Sequence, residues 1–96
     1  MQVGVNMFSY SPQQVTIHVG DTVRWTWKSD VHTVTSGAGG VADGKFCSPN
    51  DANCKTPVAS NTGAVYQHTF TQAGTYPYFC AFHFSKGMTG TVVVTP

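Results

Sequence analysis

Hydrophobic and polar positions alternate with a period of two along most of this chain, the pattern of strands with one face buried. Residues 2–8 predict a first strand with Val3, Val5 and Met7 on its inner side. Its place in that alternation assigns Met7 to the core and not to a ligand role. Ser9-Tyr10-Ser11-Pro12 predicts a turn. Residues 14–19 alternate again, with Val15, Ile17 and Val19 on one face and Thr16 and His18 on the solvent side. Gly20-Asp21 predicts a tight hairpin-type connection to residues 22–28, where Val23, Trp25 and Trp27 share a face. Val31 to Thr35 predicts a short extended piece. Residues 64–71 set Tyr66, His68 and Phe70 against Val65, Gln67 and Thr69, which makes His68 a half-buried, hydrogen-bonded residue. Residues 75–80 predict the penultimate strand and residues 89–95, a run of Val and Thr, the last; Pro77, which cannot donate to a ladder, predicts a bulge or a free edge in the former. The expectation is an all-β sandwich of about seven to eight strands.

Residues 36–63 break the alternation. They hold five of the ten glycines and two prolines, and predict a long excursion with little regular structure. It either covers one edge of the sandwich or serves partner recognition.

Composition supports the all-β reading. The chain has 96 residues, the size of one domain over 1–96, and contains no Leu and no Glu, two leading helix formers. The net charge is +1, and Arg24, Lys28, Lys45, Lys55 and Lys86 are scattered. That leaves no basic stripe for nucleic acid. No apolar run approaches a membrane span. No leader precedes the first strand, and Met1 reads as the initiator of a mature domain or of a leaderless chain.

Three cysteines narrow the chemistry. Cys47 and Cys54 bracket a short loop-like stretch, with no His or second Cys pair nearby to complete a zinc site. A disulfide between them is expected, which would leave Cys80 as a free thiol and favour an oxidising compartment. Cys80 is followed by His83 and Met88. A thiolate, an imidazole and a thioether on one short loop form a soft donor set suited to copper, lacking one more imidazole.

The stretch Ala73-Gly74-Thr75-Tyr76-Pro77-Tyr78-Phe79-Cys80-Ala81-Phe82-His83, with Met88-Thr89-Gly90-Thr91-Val92-Val93-Val94, resembles the C-terminal part of the cupredoxins, small blue copper proteins. The Cys-x2-His-x4-Met spacing is similar to that of plastocyanins and pseudoazurins, and departs from the longer Cys-to-His gap of azurin. Val15 to Trp25 is similar to the family's second and third strands, and Asp30-Val31-His32-Thr33-Val34 to the segment carrying its first His ligand. Residues 37–60 are not covered. Gly74-Thr75-Tyr76 resembles a tyrosine corner, although Cys80 lies four residues after this Tyr instead of two.

The resemblance implies a cupredoxin-like Greek-key sandwich holding one type 1 copper ion through His32, Cys80, His83 and Met88. It implies a soluble one-electron carrier, not an enzyme, periplasmic or otherwise extracytoplasmic and monomeric. Its redox partner proteins would dock weakly on an apolar collar of Phe82, Phe84 and Val31 around His83. Two positions depart from the family. Thr33 stands where Asn commonly ties the two ligand loops together, and Phe82 where Pro commonly precedes the second His. Other readings make this a copper chaperone or store, or a metal-free Ig-like structural domain with Cys80 as an unused core thiol. An oxidase or reductase would need further histidines, and only His18 and His68 are left.

Overall fold

The computed structural model describes residues 1–96. Nine strands are formed: β1 (Gln2–Asn6), β2 (Ser9–Ser11), β3 (Gln14–His18), β4 (Thr22–Trp27), β5 (Thr35–Ala38), β6 (Val41–Cys47), β7 (Val65–Thr69), β8 (Gly74–Phe79) and β9 (Thr89–Thr95). They build two sheets, ordered β2-β1-β4-β7 and β3-β9-β8-β5-β6. The pairs β1–β4 and β3–β9 are parallel and the others antiparallel. The all-β sandwich therefore agrees with the alternation in the sequence. No helix is long and apolar enough to cross a membrane.

The inward positions of the pattern are the core. Val3, Val5, Val15, Ile17, Val23, Trp25, Trp27, Val92 and Val94 are all buried. Each side chain of this size contributes about 1.5–3 kcal/mol on leaving water. Trp25 is the hub, stacked on Tyr66 (5.3 Å) and Phe46 (6.0 Å) and edge-on to Tyr78 (5.5 Å). Tyr78 lies across its β9 neighbour Gly90, where a Cβ would fall 2.4 Å from the phenol ring. Only a residue without a side chain admits that ring.

Several local expectations are corrected. β1 ends at Asn6, and Met7 turns out at φ 53° with 63% of its surface exposed, so it is not core. Ser9–Ser11 forms a short strand on β1 where a turn was expected. Of Val31–Thr35, only Thr35 is in a strand, as the first residue of β5. Only an isolated bridge between His32 and Ser60 precedes β5. Val19 lies beyond β3 and is exposed. Gly20-Asp21 does not close a hairpin, because β3 pairs with β9 in one sheet while β4 pairs with β1 and β7 in the other. This turn steps between sheets, held by Gly20 N–H to Phe70 O (2.8 Å) and Phe70 N–H to Asp21 O (3.0 Å).

The largest correction concerns residues 36–63, which contain most of β5 and all of β6. This hairpin carries no apolar alternation. Its interior is polar: Ser36 Oγ donates to Asp43 (2.6 Å) and accepts from the Lys45 and Phe46 N–H groups (3.1 and 2.9 Å). A bulge follows at Gly37, φ 143°, where a Cβ would overlap the Val41 carbonyl. The cysteine reading holds, since Cys47 and Cys54 form a disulfide. Tyr76 donates to Gln72 O (2.8 Å), as a tyrosine corner does, and the β5–β8 ladder stops just before Pro77, leaving it a free edge. His18 is exposed, as expected from its outward position. His68 is half-buried and bonded to Asp51 (3.1 Å).

Asp51 also accepts from the Tyr66 hydroxyl and the Cys47 N–H. Partial burial pushes its carboxyl up, but these bonds and His68 outweigh it and hold it below the ordinary value. Its stabilisation is therefore complete above the unfolded value near pH ~4 and is lost as pH falls through the lower folded value. Denaturation midpoints measured across acid pH are expected to fall more steeply for the native chain than for Asp51→Asn. Gly90→Ala is expected to cost about 1–3 kcal/mol by forcing the Tyr78 ring aside, read from urea unfolding.

Candidate metal centre

Cys80 follows the last residue of β8, and Met88 precedes the first of β9, so the hairpin connection is the ligand loop itself. The loop is closed at its base by Cys80 N–H to Met88 O (3.1 Å). A 3-10 turn over Phe84–Lys86 follows His83, and Gly87 at φ 79° reverses the chain with its N–H on Phe84 O (2.9 Å). That left-handed position suits glycine. Cys80 is a free thiol and fully buried, as is Met88, and both belong to the main core cluster.

Cys80 Sγ lies 3.5 Å from His83 Nδ1 and 3.9 Å from His32 Nδ1. The nitrogen and sulfur donors of these three residues lie within 4.8 Å of one another. The sequence-predicted His32, Cys80 and His83 are thus brought together, and Met88 is placed at the far end of the same loop.

His32 lies on a segment without strand pairing of its own, yet it is 2% exposed and held on every side. Its N–H donates to Ser60 O (3.1 Å). Its carbonyl accepts from Ser60 N–H (2.9 Å) and Trp27 Nε1–H (2.9 Å). Ring Nε2 meets Ser29 Oγ at 2.8 Å, and that oxygen also accepts the Met7 N–H (2.9 Å). The tautomer protonated at Nε2 donates to Ser29 and leaves the Nδ1 lone pair facing Cys80. Burial, then the His83 ring, lowers the pKa of His32 against a smaller opposing effect of Asp30, which favours the neutral form that binds metals. Val31, beside it, sits at φ 64°, a strain of order 1–3 kcal/mol for a β-branched residue.

Thr33 joins the two halves of the site. Its N–H points at Cys80 Sγ (3.4 Å) and its Oγ1 accepts the Ala81 N–H (2.9 Å) while bonding to Thr35 Oγ1 (2.9 Å). Its carbonyl accepts the Tyr10 hydroxyl (2.6 Å). Burial, then the nearby Cys80 and Tyr78, pushes the Tyr10 pKa up and keeps the phenol a donor. The tie expected of an Asn is therefore made by a Thr.

Phe82 and Phe84, which flank His83 in the chain, and Val31, which precedes His32, are 54%, 38% and 46% exposed. Phe8 is tilted against the His83 ring at 5.0 Å, with Lys86 Nζ 5.8 Å above its own ring. Phe8, Ser29, Ser60 and Tyr10 carried no signal in the sequence, because their roles depend on contacts with distant residues.

Residues 1–95 match copper binding proteins of the plastocyanin/azurin family. The chain belongs to that family. Among its relatives are a plastocyanin of Scenedesmus fuscus, 33% identical over 88% of this chain and 85% of that protein, and an amicyanin of Paracoccus denitrificans, 34% identical over 96% and 63%. The chain spans about half, 51%, of a halocyanin of Natronomonas pharaonis to which it is 29% identical. A purple cupredoxin from Nitrosopumilus maritimus shares the fold with a TM-score of 0.78 at 31% identity, covering 98% of each chain. Copper is the cofactor of this family and of this chain, and the buried thiol facing two imidazole nitrogens is a donor set that fits it.

Thr33→Val preserves shape but removes the acceptor of Ala81 N–H. It is expected to destabilise the metal-free protein by about 1–3 kcal/mol in denaturant unfolding, with Thr33→Ser restoring most of the loss.

Proposed function

We propose that His32, Cys80, His83 and Met88 hold one type 1 copper ion, and that the chain acts as a single plastocyanin-like domain carrying one electron between redox partners. The observation behind this is the buried Cys80 Sγ with His83 Nδ1 at 3.5 Å and His32 Nδ1 at 3.9 Å. Bound copper supplies a one-electron couple between Cu(I) and Cu(II). The protein supplies a site that changes little between the two states, because its donors are fixed before the metal arrives. His32 is locked by Trp27, Ser29 and Ser60, and Cys80 by Met88 O and Thr33 N–H. The N–H donor on sulfur stabilises the thiolate, and the Met88 thioether favours the reduced metal.

His83 is the half-buried ligand candidate, and its rim of Phe82, Phe84, Val31 and Phe8 suits the brief encounters of a carrier. Redox partners would meet this apolar face, with the chain monomeric between encounters. The disulfide supports an oxidising, extracytoplasmic or periplasmic setting. The histidines outside the site, His18 and His68, occur singly, which favours a carrier over an enzyme. Burial of His32, Cys80 and Met88 also speaks against a store or chaperone, which passes its metal to other proteins.

Adding Cu(II) to the native chain is expected to give an intense thiolate-to-copper band, bleached reversibly by a mild reductant and absent from Cys80→Ser. A nearly colourless complex, indifferent to Cys80→Ser, would overturn the proposal.

A further inference from the structure

Cys47 to Thr62 plays no part in the donor set, yet both ends of this stretch close on the segment that carries His32. At one end Ser48, 3% exposed, donates its N–H to Val34 O (2.8 Å) and accepts the Val34 N–H on Oγ (2.9 Å). At the other, Ser60 exchanges two backbone bonds with His32. Asn61 Oδ1 accepts the Val31 N–H (3.2 Å), and Thr62 donates its N–H and hydroxyl to Asp30 Oδ1 (both 2.8 Å). Residues 48–60 contain no strand of their own. Asp30 to Val34 has none either, and it includes the left-handed Val31, a conformation that persists only where the surroundings hold it.

Two features keep this stretch in place. The Cys47–Cys54 bridge closes its first half, residues 47–54, with both cysteines buried. Asp51, inside the closed loop, receives the Cys47 N–H (3.1 Å) and gives its own N–H to Cys47 O (2.7 Å). Its carboxylate also takes the Tyr66 hydroxyl and meets His68 Nδ1 (3.1 Å), so β7 fixes the loop from outside. The constraint runs from β7 through Asp51 and Cys47 to Ser48, and from there to Val34, two residues from His32.

We infer that the stretch Ser48–Thr62, shut by the disulfide and Asp51, is a clasp that positions His32. The inference rests on reading His32 as a metal ligand. A cover for the sheet edge would stabilise the whole fold evenly, whereas a clasp acts on the His32 segment above all.

Amide hydrogen exchange of the metal-free protein separates the two. In a Cys47→Ala/Cys54→Ala double variant, protection of the His32, Val34 and Ser60 amides is expected to fall at least about tenfold more than that of β4 and β9 amides. Asp51→Ala, which keeps the bridge, is expected to show the same pattern more weakly and serves if the double variant does not fold. The same variants, loaded with copper, are expected to release it to a chelator about ten times faster or more. Protection that falls in step across His32, β4 and β9, or does not change at His32, would overturn the clasp. The exchange experiment needs no metal, so its failure leaves the copper reading standing. A missing Cys80-dependent band would instead overturn the copper reading and leave the exchange result valid.

Discussion

The knot at Thr33 is the constraint on which the rest of the site depends. A thiol buried in an aromatic and aliphatic core is a poor place for negative charge unless something donates to it. The Thr33 N–H is that donor, and the same residue's hydroxyl receives the Ala81 N–H, one position beyond the thiol. One residue therefore sets the distance between the segment carrying His32 and the loop carrying Cys80 and His83. The Tyr10 hydroxyl on the Thr33 carbonyl then fixes the knot to β2, and the core packed around Tyr10 and Tyr78 resists its movement.

The two sides of the site are stabilised differently. The Cys80–Met88 loop is short and hangs from a regular hairpin, in which β8 and β9 pair continuously from Gly74–Val94 to Phe79–Thr89. The His32 side has no ladder beyond one backbone bridge to the distant Ser60, and relies on the side chains of Trp27 from β4 and Ser29 from the β4–β5 connection. Trp27 links these roles: its ring belongs to the core while its indole N–H holds the His32 carbonyl. Burial energy is thereby converted into fixed orientation of an imidazole.

Much of this was legible in the sequence. Period-two alternation is visible in β1, β3, β4, β7 and β9, whose buried and exposed positions alternate, whereas β8 runs from exposed Gly74 to buried Phe79 without it. It missed β5 and β6, whose hydrogen bonding runs through Ser36 and Asp43 and whose bend needs glycines, so that the same residues look like a loop. It extended β1 through Met7 because nothing in an apolar residue's identity reveals a left-handed backbone. Cys80, His83 and Met88 stood out by spacing, and His32 by resemblance to a family. Ser29, Ser60 and Phe8 did not, since a serine a few residues before a histidine, or far along the chain from it, carries no mark of the partner it will meet. Thr33 was read as a departure from the family's pattern, and the structure shows a different side chain making an equivalent tie.

The position of β9 has a consequence for how this molecule is made. It lies between β3 and β8, pairing Gln14 with Thr91 and His18 with Thr95, from opposite ends of the chain. The larger sheet cannot close before the final strand is available, and contacts so distant in sequence are slow to form. Before β9 packs, the core that buries Cys80 is incomplete, and its thiol is open to Cys47 and Cys54. Any two of three thiols can join, and only one of those pairings is native. Order of assembly is thus part of the chemistry: a bridge made early within the short Cys47–Cys54 loop spares Cys80, and one made to Cys80 removes the only thiol able to reach the two imidazoles.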